Sequence, residues 1–221
     1  MKLVYENMEH IICFDEGYVN ELIVENRRMF FEMVNGISLQ ADGSEGGFVL
    51  SKRENPIEFS KNADVIVQFA PFNLNRKNLL SKLHTYLEQK SLQAEFYEKT
   101  TDLLVKLESY IFELAEEMPY DVDCKKIAIG PVIRALSPEF DEFNKTTLEK
   151  IFAYMELTRA LDRERLFVMV NMRTYFSDEE MQRFVESVVL HDFKVLLLES
   201  TSFSALANTK RYVIDEDLCE F

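Results

Sequence analysis

Cysteine, glycine and histidine are scarce in this chain, and each scarcity removes a class of chemistry. The three cysteines, Cys13, Cys124 and Cys219, are scattered without a C-x-x-C pair. That argues against a secreted disulfide framework and against a thiolate zinc cage. Only six glycines occur, and G-x-x-x-x-G-K-[ST] is absent throughout, so the loop that cradles nucleotide phosphates is missing. The sole glycine cluster, Gly43-Ser44-Glu45-Gly46-Gly47, lacks the adjacent Lys and Ser/Thr and carries an acid that would repel phosphate. It reads as a turn. His10, His84 and His191 are isolated, and neither H-E-x-x-H nor G-x-S-x-G is present, so no catalytic residue is assigned. His10 and Cys13 would supply two zinc ligands of the roughly four required, and the other pair is lacking. The opening Met1-Lys2-Leu3-Val4-Tyr5-Glu6 has neither the apolar core of a secretory signal nor a spanning segment. A cytoplasmic protein with no membrane partner is therefore expected.

What is present suits a folded chain with a sizeable core: 221 residues, 47% of them hydrophobic. Acids outnumber bases 39 to 25, giving a net charge of −14. Spread evenly, that charge would repel a polyphosphate backbone. Screening erases distant charge beyond about 8 Å at physiological salt, so the local placement of bases matters more than the total.

The local patterns define an α/β order. Lys2 to Phe14 is rich in Val, Ile and aromatics and predicts one or two strands. Val19, Leu22, Ile23, Met29, Phe30, Met33 and Val34 recur at three- and four-residue spacing and predict a helix closed by Gly36. Strand-like runs follow at Phe48 to Leu50 and Val65 to Phe69. From Arg76 to Met118, Leu79, Leu80, Leu83, Leu87, Leu103, Leu104, Leu107, Ile111 and Leu114 mark helical stripes, which predicts a long helix or a helical hairpin. Pro131 suits the first turn of another helix, ended by Ser137-Pro138. Thr146 with Glu149 and Ser177 with Glu180 fit capping boxes. Leu166 to Val170 and Lys194 to Glu199 read as buried strands, and strand, helix, strand in so short a span implies a right-handed crossover and a parallel pair. Tyr212-Val213-Ile214 predicts a final strand. The expected architecture is an α/β head with a parallel sheet, built from residues 1–74 and 163–221, and an inserted α-helical leg over residues 75–162.

Two constellations carry chemistry. Glu113, Glu116 and Glu117 end a predicted helix, and Asp121 and Asp123 follow in the connection. Glu113 and Glu117 lie one turn apart, and carboxylates at a helix C-terminus face the negative end of its dipole, so both effects favour a nearby cation. Repulsion of this kind costs only about 0.2 to 0.5 kcal/mol per pair, so a solvated acidic face fits equally. Hard oxygen ligands would select calcium or magnesium, with calcium favoured by a flexible, carboxylate-rich loop. The EF-hand register D-x-D-x-D-G is absent. Among the interspersed bases, Lys125, Lys126 and Arg134 would neutralise phosphates without reading bases if copies of the leg surrounded a duplex. A solvated face is the plainer reading. Val195 to Glu199 resembles the apolar strand plus acid that positions magnesium in nucleotide hydrolases, but without a phosphate loop a sheet edge suffices.

Three stretches in order resemble the Csn-two family, the accessory adaptation protein of type II-A CRISPR-Cas systems. They are Pro71-Phe72-Asn73-Leu74-Asn75 running into Leu79-Leu80-Ser81-Lys82-Leu83; Leu148-Glu149-Lys150-Ile151-Phe152 leading to Leu166-Phe167-Val168-Met169-Val170-Asn171; and Val195-Leu196-Leu197-Leu198-Glu199 with Tyr212-Val213-Ile214-Asp215-Glu216-Asp217. The resemblance implies a head related in fold to phosphate-loop ATPases without Walker motifs, plus a helical leg. It implies a homotetrameric ring that binds calcium and encloses linear double-stranded DNA from its ends without sequence preference. It further implies a non-catalytic role in spacer acquisition beside the integrase subunits and the effector nuclease. Glu113, Glu117, Asp121 and Asp123 are similar to the family's acidic calcium site, and Pro119 stands where relatives carry another acid. No short motif carries the DNA contacts, so Lys125, Lys126 and Arg134 are positional candidates. Two other classes remain open: a protein-interaction scaffold that never touches DNA, and a metal-dependent nuclease using Asp121 and Asp123.

Overall fold

The computed structural model describes residues 1–14 and 17–221. In chain order the elements are β1 (Lys2–Tyr5), β2 (Ile12–Cys13), β3 (Val19–Val24), α1 (Arg27–Ala41), β4 (Phe48–Lys52), β5 (Asn55–Ile57), α2 (Phe59–Asn62), β6 (Ala63–Ile66), α3 (Lys77–Ser91), α4 (Ala94–Leu114), α5 (Ile129–Leu136), α6 (Thr147–Leu161), β7 (Leu166–Val170), α7 (Asp178–Leu190), β8 (Lys194–Glu199) and β9 (Thr209–Ile214). Contacts divide the chain into a unit of Met1–Phe72 with Asn144–Phe221 and a second unit of Asn73–Phe143.

The first unit is an α/β head. Its parallel sheet has the order β6-β7-β8-β3-β9, and β3 lies between β8 and β9. All six residues of β3 and all five of β7 are buried, as expected of strands covered on both faces. Because side chains alternate along a strand, Leu22 and Val24 join Val168, Val170, Leu196 and Leu198 in one core with Met33 and Ile37 of α1. A small antiparallel sheet, β2-β1-β4-β5, adds Leu3, Ile12, Phe48 and Leu50 to that same core.

The opposite face of the parallel sheet is closed by α6 and α7. Both predicted capping boxes are formed: the Glu149 and Glu180 carboxylates accept the backbone N–H of Thr146 at 2.7 Å and of Ser177 at 2.9 Å. Those bonds hold both carboxyls below the usual range. Helix α6 falls within the leg that the sequence pattern predicts over residues 75–162. It belongs to the head instead, because Ile151, Tyr154, Met155 and Thr158 are buried there. The Tyr154 hydroxyl donates to Asp64 of β6, and its ring meets Phe72 and Phe167 edge-on. Arg159 stacks over Phe193 at 4.1 Å and donates to the His191 carbonyl.

The expected helix over Val19 to Val34 is in fact β3 followed by α1. Periodicity alone does not separate a short buried strand from a helical segment. The β-branched residues Val19, Ile23 and Val24 favour a strand, and Asn26 marks the true helix start by accepting the Met29 N–H at 3.0 Å. Gly36 lies inside α1, which runs on to Ala41. Likewise β8 is an interior strand paired on both sides with β7 and β3, not a sheet edge.

The second unit is helical. Asn75 and Glu142 tie its two chain ends together: the Asn75 Nδ2 donates to the Phe140 carbonyl at 2.9 Å, and Glu142 accepts the Leu74 N–H at 2.5 Å. Helices α3 and α4 form the expected hairpin, and α3 also packs on α5.

Candidate nucleic-acid interface

The acidic and basic candidates all lie in the helical unit. Glu113 sits in the last turn of α4, Glu117 in the turn after it, and Asp121 and Asp123 in a stretch without helix or strand; all four are exposed. Their donor chemistry suits a hard cation such as calcium, but their placement does not. Among the described residues, no group of three or more His, Cys, Asp or Glu side chains is arranged to hold a metal ion. A helix would bring carboxylates four apart onto one face, whereas the irregular segment from 118 to 128 imposes no shared face.

Lys125 and Lys126 are exposed in that same irregular stretch. Arg134 is exposed in the last turn of α5, 3.8 Å from Glu88 of α3. Such a half-exposed pair binds weakly, so the guanidinium stays available to a phosphate. Helix α4 has 21 residues and buries none of them. Leu103, Tyr110, Ile111 and Leu114 on it are 47%, 56%, 41% and 60% exposed. Apolar side chains this exposed recur along the length of the helix.

The head holds a buried ion network that local sequence signals missed. Arg173, fully buried, donates to Glu21 at 2.6 Å, to Asp178 at 2.8 Å and to the Ser204 carbonyl at 2.8 Å. Arg211 reaches the other Glu21 oxygen at 2.8 Å from its register partner position on β9. Glu199, at the end of β8, accepts the backbone N–H of Arg173 at 3.1 Å, and the Met172 backbone N–H also bears on its carboxylate. Burial pushes the Glu199 carboxyl up to about 7, with the Arg173 N–H opposing and the Glu21 charge adding. After β3, where nucleotide-binding sheets place a glycine loop, stand Glu25-Asn26-Arg27-Arg28, and Asn26 closes the turn with its own side chain. These residues offer no backbone cradle for phosphate.

The sequence model of the CRISPR-associated protein family (Cas_Csn2) matches residues 40–218. A CRISPR-associated protein Csn2 of Enterococcus faecalis is 27% identical over 141 residues, covering 64% of this chain and 62% of that protein. The Streptococcus agalactiae protein of the same name is 26% identical over 159 residues, covering 69% of this chain and 68% of that one. The match thus spans less than two thirds of the Enterococcus protein. In fold, the chain is similar to the crystal structure of Stu0660 of Streptococcus thermophilus, with a TM-score of 0.58, 14% identity, and coverage of 91% of this chain and 69% of that one. With the family's sequence pattern running through well over half of the chain, from α1 to the end of β9, this protein belongs to the Cas_Csn2 family of CRISPR-associated proteins.

Proposed function

We propose that this protein is a non-catalytic, ring-forming subunit that binds the ends of linear double-stranded DNA without reading its sequence, and that it acts in CRISPR spacer acquisition beside the integrase subunits and the effector nuclease. Family membership supports the CRISPR role. The observation that carries the assembly is α4, none of whose 21 residues is buried and on which Leu103, Tyr110, Ile111 and Leu114 stand exposed. Closed symmetry is the common way for copies to cover such a face, and a homotetramer fits the reading. Lys125, Lys126 and Arg134, exposed in the same unit, supply phosphate contacts that are indifferent to base identity.

The net charge of −14 requires those cations to converge where copies meet while acids point elsewhere. Calcium is part of the proposal through the chemistry of Glu113, Glu117, Asp121 and Asp123. Those side chains would have to close around it from their present separation, and no step of DNA binding is routed through the ion.

Gel shifts with linear and closed circular duplexes, in calcium and then in chelator, test the reading. Linear DNA is expected to bind and closed circles to bind far less. Changing Lys125 and Lys126 to Ala is expected to flatten the salt dependence by about one unit of log–log slope per lost phosphate contact. Equal binding to both topologies would reject entry from the ends. Absence of any salt-dependent binding would favour a scaffold that contacts only proteins.

A further inference from the structure

Arg173 and Glu199 carry complementary unpaired atoms inside the head. Arg173 directs Nη1 to Glu21 and Nη2 to Asp178 and Ser204, and its Nε has no hydrogen-bond partner. Glu199 receives the Arg173 backbone N–H on Oε1, with the Met172 N–H also directed at the carboxylate, and among the described residues no side chain donates to its Oε2. Both Glu21 oxygens are occupied, by Arg173 and by Arg211. Two guanidiniums therefore pair with two carboxylates, Glu21 and Asp178, and among the described residues no guanidinium pairs with the third, Glu199. A neutral acid tolerates that position; an ionised one, fully desolvated, demands a compensating donor.

The chain that leaves β8 rests on the same arginine. The Ser204 carbonyl accepts from Arg173 at 2.8 Å and from Arg211 at 3.2 Å, and the Phe203 ring centroid lies 4.9 Å from the Arg173 guanidinium carbon.

We propose that Glu199 and Arg173 form a proton-operated latch on the segment between β8 and β9. With Glu199 protonated, Arg173 holds Ser204 and Phe203. When the proton leaves for solvent, the carboxylate takes the Nε–H of Arg173 through Oε2, the guanidinium swings toward it, and the segment is loosened, Ser204 keeping only the longer Arg211 contact and its hydrogen bond to Asp178. The charged groups of the network come from every neighbouring element: Glu21 from β3, Arg211 from β9, Arg173 from the turn after β7, and Asp178 from the first turn of α7. The next two acids of α7 are turned away, Glu179 toward Arg183 and Glu180 onto Ser177. The lifted Glu199 carboxyl, at about 7, sets the change near neutrality. The latch is a property of the head alone and does not depend on DNA binding.

Phe203 is itself the probe, because chymotrypsin cleaves after phenylalanine in released segments. Nicking at Phe203, normalised at each pH to a small peptide substrate, is expected to be about tenfold faster at about pH 8.5 than at about pH 5.5. In Glu199→Gln, which keeps the neutral shape, the two rates are expected to be equal. Equal nicking of the wild-type chain at both pH values, or a Glu199→Gln variant that keeps the wild-type dependence, would overturn the proposal. If that variant does not fold, the wild-type Arg173 Nε–H resonance decides: it is expected to shift with the same midpoint as nicking, and a constant resonance rejects the latch.

Discussion

The head and the helical unit solve the burial problem in opposite ways. The head closes its own core so completely that it also encloses Glu21, Arg173 and Glu199. In the helical unit only Leu74, Leu79, Ile129 and Gly130 are buried, while α4 leaves its apolar side chains in water. The contrast places the head's stability inside one chain and leaves the helical unit's apolar helix face in water. The same substitution in each unit breaks the comparison open. Arg173→Met leaves the buried Glu21 with Arg211 alone and strips half-exposed Asp178 of its guanidinium, and is expected to cost about 3 to 5 kcal/mol. Arg134→Met removes a surface pair at 3.8 Å and is expected to cost under about 1 kcal/mol. Urea midpoints of the two variants check this, and equal losses would mean that the head network is not the stabilising centre described here.

The pH response sharpens the same contrast. Glu199 has a folded value of about 7, raised above its ordinary 4.5. The folded state therefore holds this proton more tightly than the unfolded chain. Its contribution is complete below about pH 4.5 and is lost as pH rises through about 7, by up to about 3 kcal/mol. Glu149, Asp178 and Glu180 act the other way: hydrogen bonds hold their carboxyls below the ordinary range, so their contribution is lost only as the solution becomes strongly acidic. Stability of the head is expected to peak in mildly acid solution and fall toward neutrality. Urea denaturation across this range should show that slope in the wild type and lose it in Glu199→Gln. A flat wild-type profile between about pH 5 and pH 8 would contradict the buried, proton-bearing Glu199.

These buried features were the least legible in the sequence, for a physical reason. Capping boxes at Thr146 and Ser177 were readable because their partners lie three residues away. Strands β7 and β8 were readable as unbroken apolar runs. The Glu21 network joins residues 152 and 190 positions apart, and no local pattern reports such a meeting. A buried acid amid Val19 to Val24 was the available hint, and the helical spacing around it hid the strand. The acidic candidates show the reverse: five carboxylates close in sequence, which the irregular segment leaves unassembled. The head boundary moved for the same kind of reason, since the aromatic contacts that bind α6 to the sheet come from Phe72, Phe167 and Phe193, all distant from it in sequence or across a strand.

The smallest expected effect on folding is also the most direct test of what the helical unit is for. Tyr110 and Ile111 of α4 are 56% and 41% exposed, and glutamate is a good helix former. Changing both to Glu is therefore expected to alter the unfolding free energy of the single chain by no more than about 0.5 kcal/mol. If copies cover this face, the same change buries charge against apolar side chains between them, where an unpaired carboxylate is strongly disfavoured. Light scattering after gel filtration is then expected to show the particle mass falling to that of one chain, with the urea midpoint equal to that of the wild type diluted until it is monomeric. An unchanged mass would assign α4 to some other contact, and a large loss of stability in the isolated chain would show that its face is already covered from within.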